Sequence, residues 1–413
     1  MDRELSCVHC GLCLNACPTY RVLGTEADSP RGRLYLMEAV GDGSQSLDAA
    51  TTAFLDRCLG CLACESACPS GVAFGRRMQS FRPRLRPGLL TRVGRSAVLT
   101  LAERPGLLRF LGRAARVLDF MGLERLRSRV PGLGLMPGRE RQNHGGFPSG
   151  ADGGGGGRPN DGPRAAVLRG CVGDALTPSI GRAAVAVLVA NGIESVAVAG
   201  QRCCGALFAH GGRLDRALEL ARLNVEAFEA VGVEYVVTTA AGCGAFIREY
   251  GDMLADQGEV APAALRLSSK VRDISELLVD RGLRYPRPLP QPSEPVAYHD
   301  ACHLLHARGI GLAPRLVIEA ATGTPPMDLG ENEICCGSAG SYNIDHPRLA
   351  WALGARKAEL LRESLAATVC VGNVGCLLQL GRAARAAGLE LRLFHPVELL
   401  AQAYHARGLG GEA

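Results

Sequence analysis

Two cysteine runs built on one pattern constrain this chain more than any other feature. Residues 7–18 read Cys7-Val-His-Cys10-Gly-Leu-Cys13-Leu-Asn-Ala-Cys17-Pro18, and residues 58–69 read Cys58-Leu-Gly-Cys61-Leu-Ala-Cys64-Glu-Ser-Ala-Cys68-Pro69. Each is C-x2-C-x2-C-x3-C-P, in which the first three thiolates wrap one iron–sulfur cube and the fourth, ahead of proline, ligates the other. The pattern assigns Cys7, Cys10, Cys13 and Cys68 to one 4Fe–4S cluster and Cys17, Cys58, Cys61 and Cys64 to a second. Exchanging ligands between runs holds the two clusters close, which suits the passage of single electrons. Structural zinc more often takes two separated Cys-x2-Cys pairs, and a disulfide framework calls for an exporting signal. Residues 1–6 lead into Cys7 with no apolar segment of that kind.

A chain of 413 residues implies two to four domains. Seventeen cysteines without an export signal point to a reducing cytoplasm and to metal ligation. No run of ~18 apolar residues is present, so membrane association, if any, is expected to be peripheral, on the inner face. The net charge of +5 is uneven: residues 76–141 hold 16 arginines, no lysine and 4 acids, a local +12, which leaves −7 for the rest. Lys270 and Lys357 are the only lysines, a bias that reads as genomic base composition.

Five segments follow. Residues 1–75 form a helical two-cluster domain resembling bacterial-type ferredoxins, with amphipathic helices expected over 31–40 and 47–55. Residues 76–137 are an arginine-rich connector of two or three short helices, punctuated by Pro87 and Pro105. Its apolar stripes would be Leu90, Val93, Ala97 and Leu101, then Leu107, Leu111, Ala114 or Ala115, and Leu118. Its arginines are expected to face solvent, with a basic face toward an acidic partner or anionic lipid as the sharper reading. Nothing resembles a nucleic-acid recognition module. Residues 138–163, with five glycines at 153–157, read as a flexible linker.

Past the linker the chain repeats. Cys171, Cys203-Cys204-Gly205 and Cys243 are followed by Cys302, Cys335-Cys336-Gly337 and Cys376, at offsets of 131, 132, 132 and 133 residues. Each copy (164–294 and 295–413) alternates strand and helix patterns and is expected to be α/β with a parallel sheet. Strands are expected at 165–168, 196–198 and 235–237, then at 296–298 and 368–371; helices at 180–190 and 214–230, then at 316–321, 349–361 and 377–387. The cysteines would lie at strand ends, where such sheets build their sites. His299 and His303 flank Cys302, but packing or capping is the favoured reading for both. His210 is ambiguous, and His9 lies in the first cysteine loop. Cys370 falls outside the repeat and is expected in the core.

The Cys…Cys-Cys-Gly…Cys pattern resembles the duplicated CCG domain of heterodisulfide reductase and its relatives. That resemblance implies a further iron–sulfur cluster or other metal on Cys171, Cys203, Cys204 and Cys243, and on Cys302, Cys335, Cys336 and Cys376. The fullest motif ends in Cys-x2-Cys, whereas this chain has Ala240 and Asn373 at the earlier positions, leaving four cysteines in each half. A vicinal disulfide within either Cys-Cys pair would be strained and redox-labile.

Taken in order, the segments resemble the iron–sulfur subunits of bacterial glycolate oxidases. The resemblance runs through Cys13 to Tyr20, Asp28-Ser29-Pro30-Arg31-Gly32-Arg33, Asp56 to Val72, His299-Asp300-Ala301-Cys302-His303 and Cys335 to Tyr342. It implies flavoprotein partner subunits that carry the FAD and oxidise glycolate to glyoxylate, while this chain passes electrons to a quinone or another acceptor. No dinucleotide-binding G-x-G-x-x-G follows a strand, and neither lysine follows a glycine as a phosphate loop requires. Substrate oxidation is therefore expected on a partner. Subunits of lactate or glycerol-3-phosphate dehydrogenases, and a thiol–disulfide enzyme, are the alternatives.

Overall fold

The computed structural model describes residues 7–121, 135–137, 162–286 and 295–406. Nearly all of the expected linker, and part of the connector, lie outside these residues. The helical N-terminal region carries α1 (Pro18–Leu23), α2 (Pro30–Gly41), α3 (Ala49–Asp56), α4 (Ala63–Ser66) and α5 (Phe74–Phe81). Proline opens α1 and α2, where its missing N–H costs nothing. The Ser29 hydroxyl caps α2 and the Asp48 carboxylate caps α3, each accepting from a backbone N–H. Leu34, Met37, Leu55, Phe74, Met78 and Phe81 form the core, into which Cys58 and Cys64 are also packed.

The connector continues as α6 (Leu89–Ala102) and α7 (Pro105–Phe120). One expectation fails here, and a second holds for most but not all of the described arginines. Leu90 and Val93 are 89% and 60% exposed, and α6 instead buries Leu99 and Ala102. Periodicity gave the right helix but the wrong face, because both faces of α6 carry apolar residues and only the tertiary fold selects one. The arginines divide between uses. Arg92, Arg104, Arg113 and Arg116 are exposed, while Arg76 pairs with Asp252 and Arg109 with Asp174, at 2.8 and 2.7 Å. Arg82 donates to the carbonyls of Cys58 and His210. Much of the basic segment thus fastens the N-terminal region to the rest of this same chain.

Each later half is a four-stranded parallel sheet. β1 (Arg164–Val167), β2 (Glu194–Ser195), β3 (Tyr235–Thr238) and β4 (Val271–Asp273) are ordered β2-β1-β3-β4. β5 (Val296–His299), β6 (Met327–Asp328), β7 (Thr368–Val371) and β8 (Arg392–Phe394) are ordered β6-β5-β7-β8. The cysteine repeat is therefore also a repeat of topology. The expected strand at 196–198 lies two residues earlier, with the Val196 N–H still bonded to the Ala165 carbonyl. β4, β6 and β8 are too short, at two or three residues, for a sequence pattern to reveal. Helices Pro178–Ala190, Leu214–Glu229, Leu312–Thr322, Pro347–Ser364 and Val374–Ala386 cover the expected ones. The halves share one core: Ile180, Val187 and Leu277 from the first join Val317, Leu400 and Tyr404 from the second. Cys370 is in that core, on β7.

A buried ionic joint fixes the N-terminal region to the second half. Arg95 on α6 reaches Asp56 on α3 at 2.9 Å and Asp345 at 2.8 Å, both carboxylates being 3% exposed. His346 bonds Asp56 at 3.2 Å. Burial would raise the Asp56 pKa, but hydrogen bonds from His346 and Arg95 outweigh it and hold the carboxyl well below its usual range. Its folded pKa is lowered, so this stabilisation is present above the ordinary carboxylate pKa and is lost as pH falls through the folded value. Arg95→Leu leaves two buried carboxylates without their cation and is expected to cost ~3–5 kcal/mol in denaturant unfolding. Asp345→Asn should cost less, since Asp56 keeps its partners.

Candidate functional site

The two N-terminal cysteine loops share one backbone design. His9 and Gly60, two residues after the first cysteine of each run, have φ of 54° and 66°. Gly11 and Leu62, one residue after the second cysteine, have φ of 84° and 63°. This left-handed pairing curls the chain so that its sulfurs converge, and it turns backbone N–H groups inward. The N–H of His9 donates to Cys7 Sγ and that of Gly60 to Cys58 Sγ, both at 3.4 Å. Such donors stabilise negative charge on sulfur.

Cys17 from the first run joins Cys58, Cys61 and Cys64 from the second in lining a small cavity, with Pro18, Thr19, Leu59 and Phe74. All four cysteines are buried. Burial pushes the Cys61 and Cys64 thiols well up, and neighbouring sulfurs add to the rise. Four thiolates in so dry a space require a positive core, and an iron–sulfur cluster supplies one. The wall helps: Arg33, 1% exposed, lies 3.9 Å from Cys17 Sγ and shares Asp28 with Arg57. Two guanidiniums on one carboxylate leave net positive charge beside the cavity. The donor set fits a 4Fe–4S cluster. Of the other four cysteines, Cys7, Cys13 and Cys68 pack half-buried on the same core and Cys10 is exposed, a more open arrangement.

The second-half cysteines pack on one of the cysteines that line this cavity. Cys61 packs in one buried cluster with Cys335, Cys302 and Tyr342. His303 Nε2 bonds the Gly60 carbonyl at 2.9 Å, His306 Nδ1 bonds Ser66 Oγ at 2.9 Å, and the Tyr342 hydroxyl donates to the Arg57 carbonyl at 2.9 Å. Cys302 and Cys336 thiols flank Cys335 and lower its pKa. Cys376 is lowered to about 5, by Cys336 first and then, against burial, by His299. His299, Cys336 and Cys376 bring their ligand atoms within 4.8 Å of one another, all buried. His299 sits fully buried at the end of β5, beside these cysteines. His303 holds the N-terminal cysteine loop.

In the first half Cys171 and Cys203 lie 3.5 Å apart, and Cys204 bonds Cys203 and Cys243. Hydrogen bonding with Cys171 and Cys204 pulls the Cys203 pKa down, against its burial. Neither Cys-Cys pair is bridged; all seventeen cysteines are free. His210 stacks on His303 with centroids 5.7 Å apart, and burial lowers its pKa to about 3, keeping it neutral at ordinary pH. Both histidines border a cleft between the N-terminal region and the first half, lined also by Leu62, Phe74, Phe246 and Glu249.

The sequence reading gave no weight to Arg33 or Lys357. Lys357 is 2% exposed, donates to the Glu331 carbonyl and lies near enough to Cys335 and Cys336 to feel their charge. Its rarity was the available signal: one of two lysines, inside an otherwise arginine-using chain.

Comparison with protein families matches a 4Fe-4S dicluster domain to residues 5–72 and a cysteine-rich domain, CCG, to residues 165–248 and 296–381. The probable glycolate oxidase iron-sulfur subunit of Bacillus subtilis is 32% identical over 97% of this chain and 94% of its own length. The glycolate oxidase iron-sulfur subunit of Escherichia coli is 31% identical over 96% of this chain and 93% of its own. A fumarate reductase (CoM/CoB) subunit of Methanothermobacter marburgensis is 32% identical over 59% of this chain and 47% of its own.

The cleft contains a titration that can be measured. Burial, with Glu65 nearby, raises the Glu249 pKa from 4.5 to about 7. Between those values the folded protein holds a proton that the unfolded chain has released, so stability falls as pH rises through the window. Glu249→Gln should flatten that slope in unfolding midpoints measured from pH 4 to 8.

Proposed function

Because the chain belongs to the family of glycolate oxidase iron–sulfur subunits, we propose that it carries electrons from a flavin on partner subunits while those subunits oxidise glycolate to glyoxylate. One observation supports this above the others: Cys61 packs against Cys335, so the N-terminal cavity and the second-half cysteines share a wall. In this reading Cys7, Cys10, Cys13 and Cys68 hold one 4Fe–4S cluster, and Cys17, Cys58, Cys61 and Cys64 hold another. Bound there, the clusters supply the one-electron steps that divide a hydride's two electrons. The protein's part is to exclude water from the second cavity, orient sulfur through the Gly60 N–H, and hold Arg33 beside Cys17. The final acceptor is a quinone or another carrier. Among the described residues no helix is long and apolar enough to cross a membrane, so contact with one would be peripheral.

The outward stripe of α6, Leu90 and Val93 beside exposed Arg92, gives the flavoprotein subunits an apolar face with a basic edge. Leu90→Asp with Val93→Asp should reduce co-purification of those subunits several-fold and leave iron content unchanged. The function itself is tested by iron and acid-labile sulfide on anaerobic protein, with EPR after reduction. About eight irons per chain are expected from residues 7–68 alone, and about twelve or more if the later halves also hold clusters. Fewer than about four in intact protein would end the reading. With the flavoprotein subunits restored, Cys61→Ala should abolish electron delivery from glycolate; faster turnover with lactate than with glycolate would overturn the substrate assignment.

A further inference from the structure

The two later halves repeat in topology, yet their cysteine sites differ in a way the repeat makes legible. At the offset of 131 that relates Cys171 to Cys302, His299 corresponds to Leu168. The sheets agree: Val167 pairs with Val237 and Tyr298 with Cys370, so the next residues, Leu168 and His299, occupy the same place at the strand end. Gly205 lies against Ala217 and Gly337 against Ala350. That register, 133 residues, sets Lys357 where the first half has Asn224. The second site thus adds an imidazole and a buried ammonium to four cysteines. The first has a leucine and an amide.

His299 is fully buried, and neither ring nitrogen has a hydrogen-bond partner of normal geometry. A buried imidazole without nitrogen or oxygen partners of normal geometry is costly. The groups within reach are sulfur: Cys336 and Cys376 place their ligand atoms within 4.8 Å of the ring's. Asn373, which occupies the position of the missing fifth cysteine, donates to Cys376 Sγ at 3.3 Å and so supports that thiolate. Three of the four second-half cysteines are buried, against one of four in the first half. Lys357 supplies positive charge next to Cys335 and Cys336.

We propose that His299 is a protein ligand of a metal centre in the second half, completing with Cys336 and Cys376 a mixed imidazole–thiolate site that the first half cannot build. A thiophilic transition metal fits this donor set, as iron within a cluster or as a single zinc. Cys302 and Cys335 are the further thiolates available to it. The proposal deepens the reading of this chain as an electron carrier and rests on it only for the centre's redox role, because ligation by His299 can be observed without any electron transfer.

The test uses the full chain, purified anaerobically, as wild type, His299→Ala and His299→Cys. Metal is counted per chain; iron is read by pulsed EPR with 15N-histidine labelling and zinc by its X-ray absorption edge. Expected is an imidazole nitrogen on one centre of the wild type. His299→Ala should lose that nitrogen and the metal of one centre, and keep the EPR signals of the clusters held by residues 7–68. His299→Cys should recover the metal without the nitrogen, which separates a lost ligand from a lost fold. A nitrogen signal unchanged in His299→Ala, a wild type with no histidine nitrogen on any metal, or a folded His299→Cys holding no more metal than His299→Ala would each overturn the proposal. A wild type with the nitrogen-ligated centre but no clusters on residues 7–68 would uphold it and overturn the electron-carrier reading.

Discussion

Sulfur atoms crowded into a dry cavity are the constraint from which the rest of this structure follows. Cys17, Cys58, Cys61 and Cys64 line one enclosed space, and burial opposes ionisation of the thiols most enclosed within it. Such a group of ligands gains its charge only together with a cationic partner, so metal binding and local order are linked. The surrounding protein lowers the cost with fixed positive charge and N–H donors. Arg33 needs Asp28 and Thr19 to hold its guanidinium in place, and Thr19 and Asp28 are themselves bonded to each other. The polar network around the cavity is thus as buried as the sulfurs it serves.

The loop that lines this cavity is held from outside by another part of the chain. Leu59, Cys61 and Ala63 pack on Cys335, Tyr342, Ala350 and Leu353, and several hydrogen bonds from His303, His306, Tyr342 and His346 end on backbone or hydroxyl oxygens of residues 56–66. Because the contacts grip backbone carbonyls, they fix the loop's position whatever side chains it carries. Arginines do similar work from the connector. Their planar, multi-donor groups can bridge two acceptors at once, as Arg82 does between Cys58 and His210 and Arg95 between Asp56 and Asp345. A segment whose charge suggests an external partner spends part of that charge inside the molecule.

Duplication gave the chain two similar sites, and their later residues made them different. The strand order and the Cys-Cys-Gly turn repeat closely, with φ of 90° at Gly205 and 89° at Gly337. In each case an added Cβ would approach a helix backbone at about 3.1 Å or less, at Ala217 or Ala350. The glycine therefore answers to both the left-handed turn and the close packing. Around this shared frame, the second site is more buried than the first, and its Cys335 packs with Cys61 of the N-terminal cavity.

Covalent spacing made much of this legible in advance. Runs of cysteine at x2 and x3 intervals, glycine and proline at fixed places and a repeat near 132 residues carry their meaning locally. The two-cluster motif and the duplicated α/β halves could therefore be read from residue order alone. Local pattern could not choose which face of α6 is buried, reveal two-residue strands held by their neighbours, or show that connector arginines would find Asp56, Asp174 and Asp252. Nor could it show that His299 would be fully buried and set against Cys336 and Cys376. Those outcomes belong to the folded chain, because they depend on contacts between residues far apart in sequence. There, burial changes the energy of a charge or a polar group by more than any local preference does.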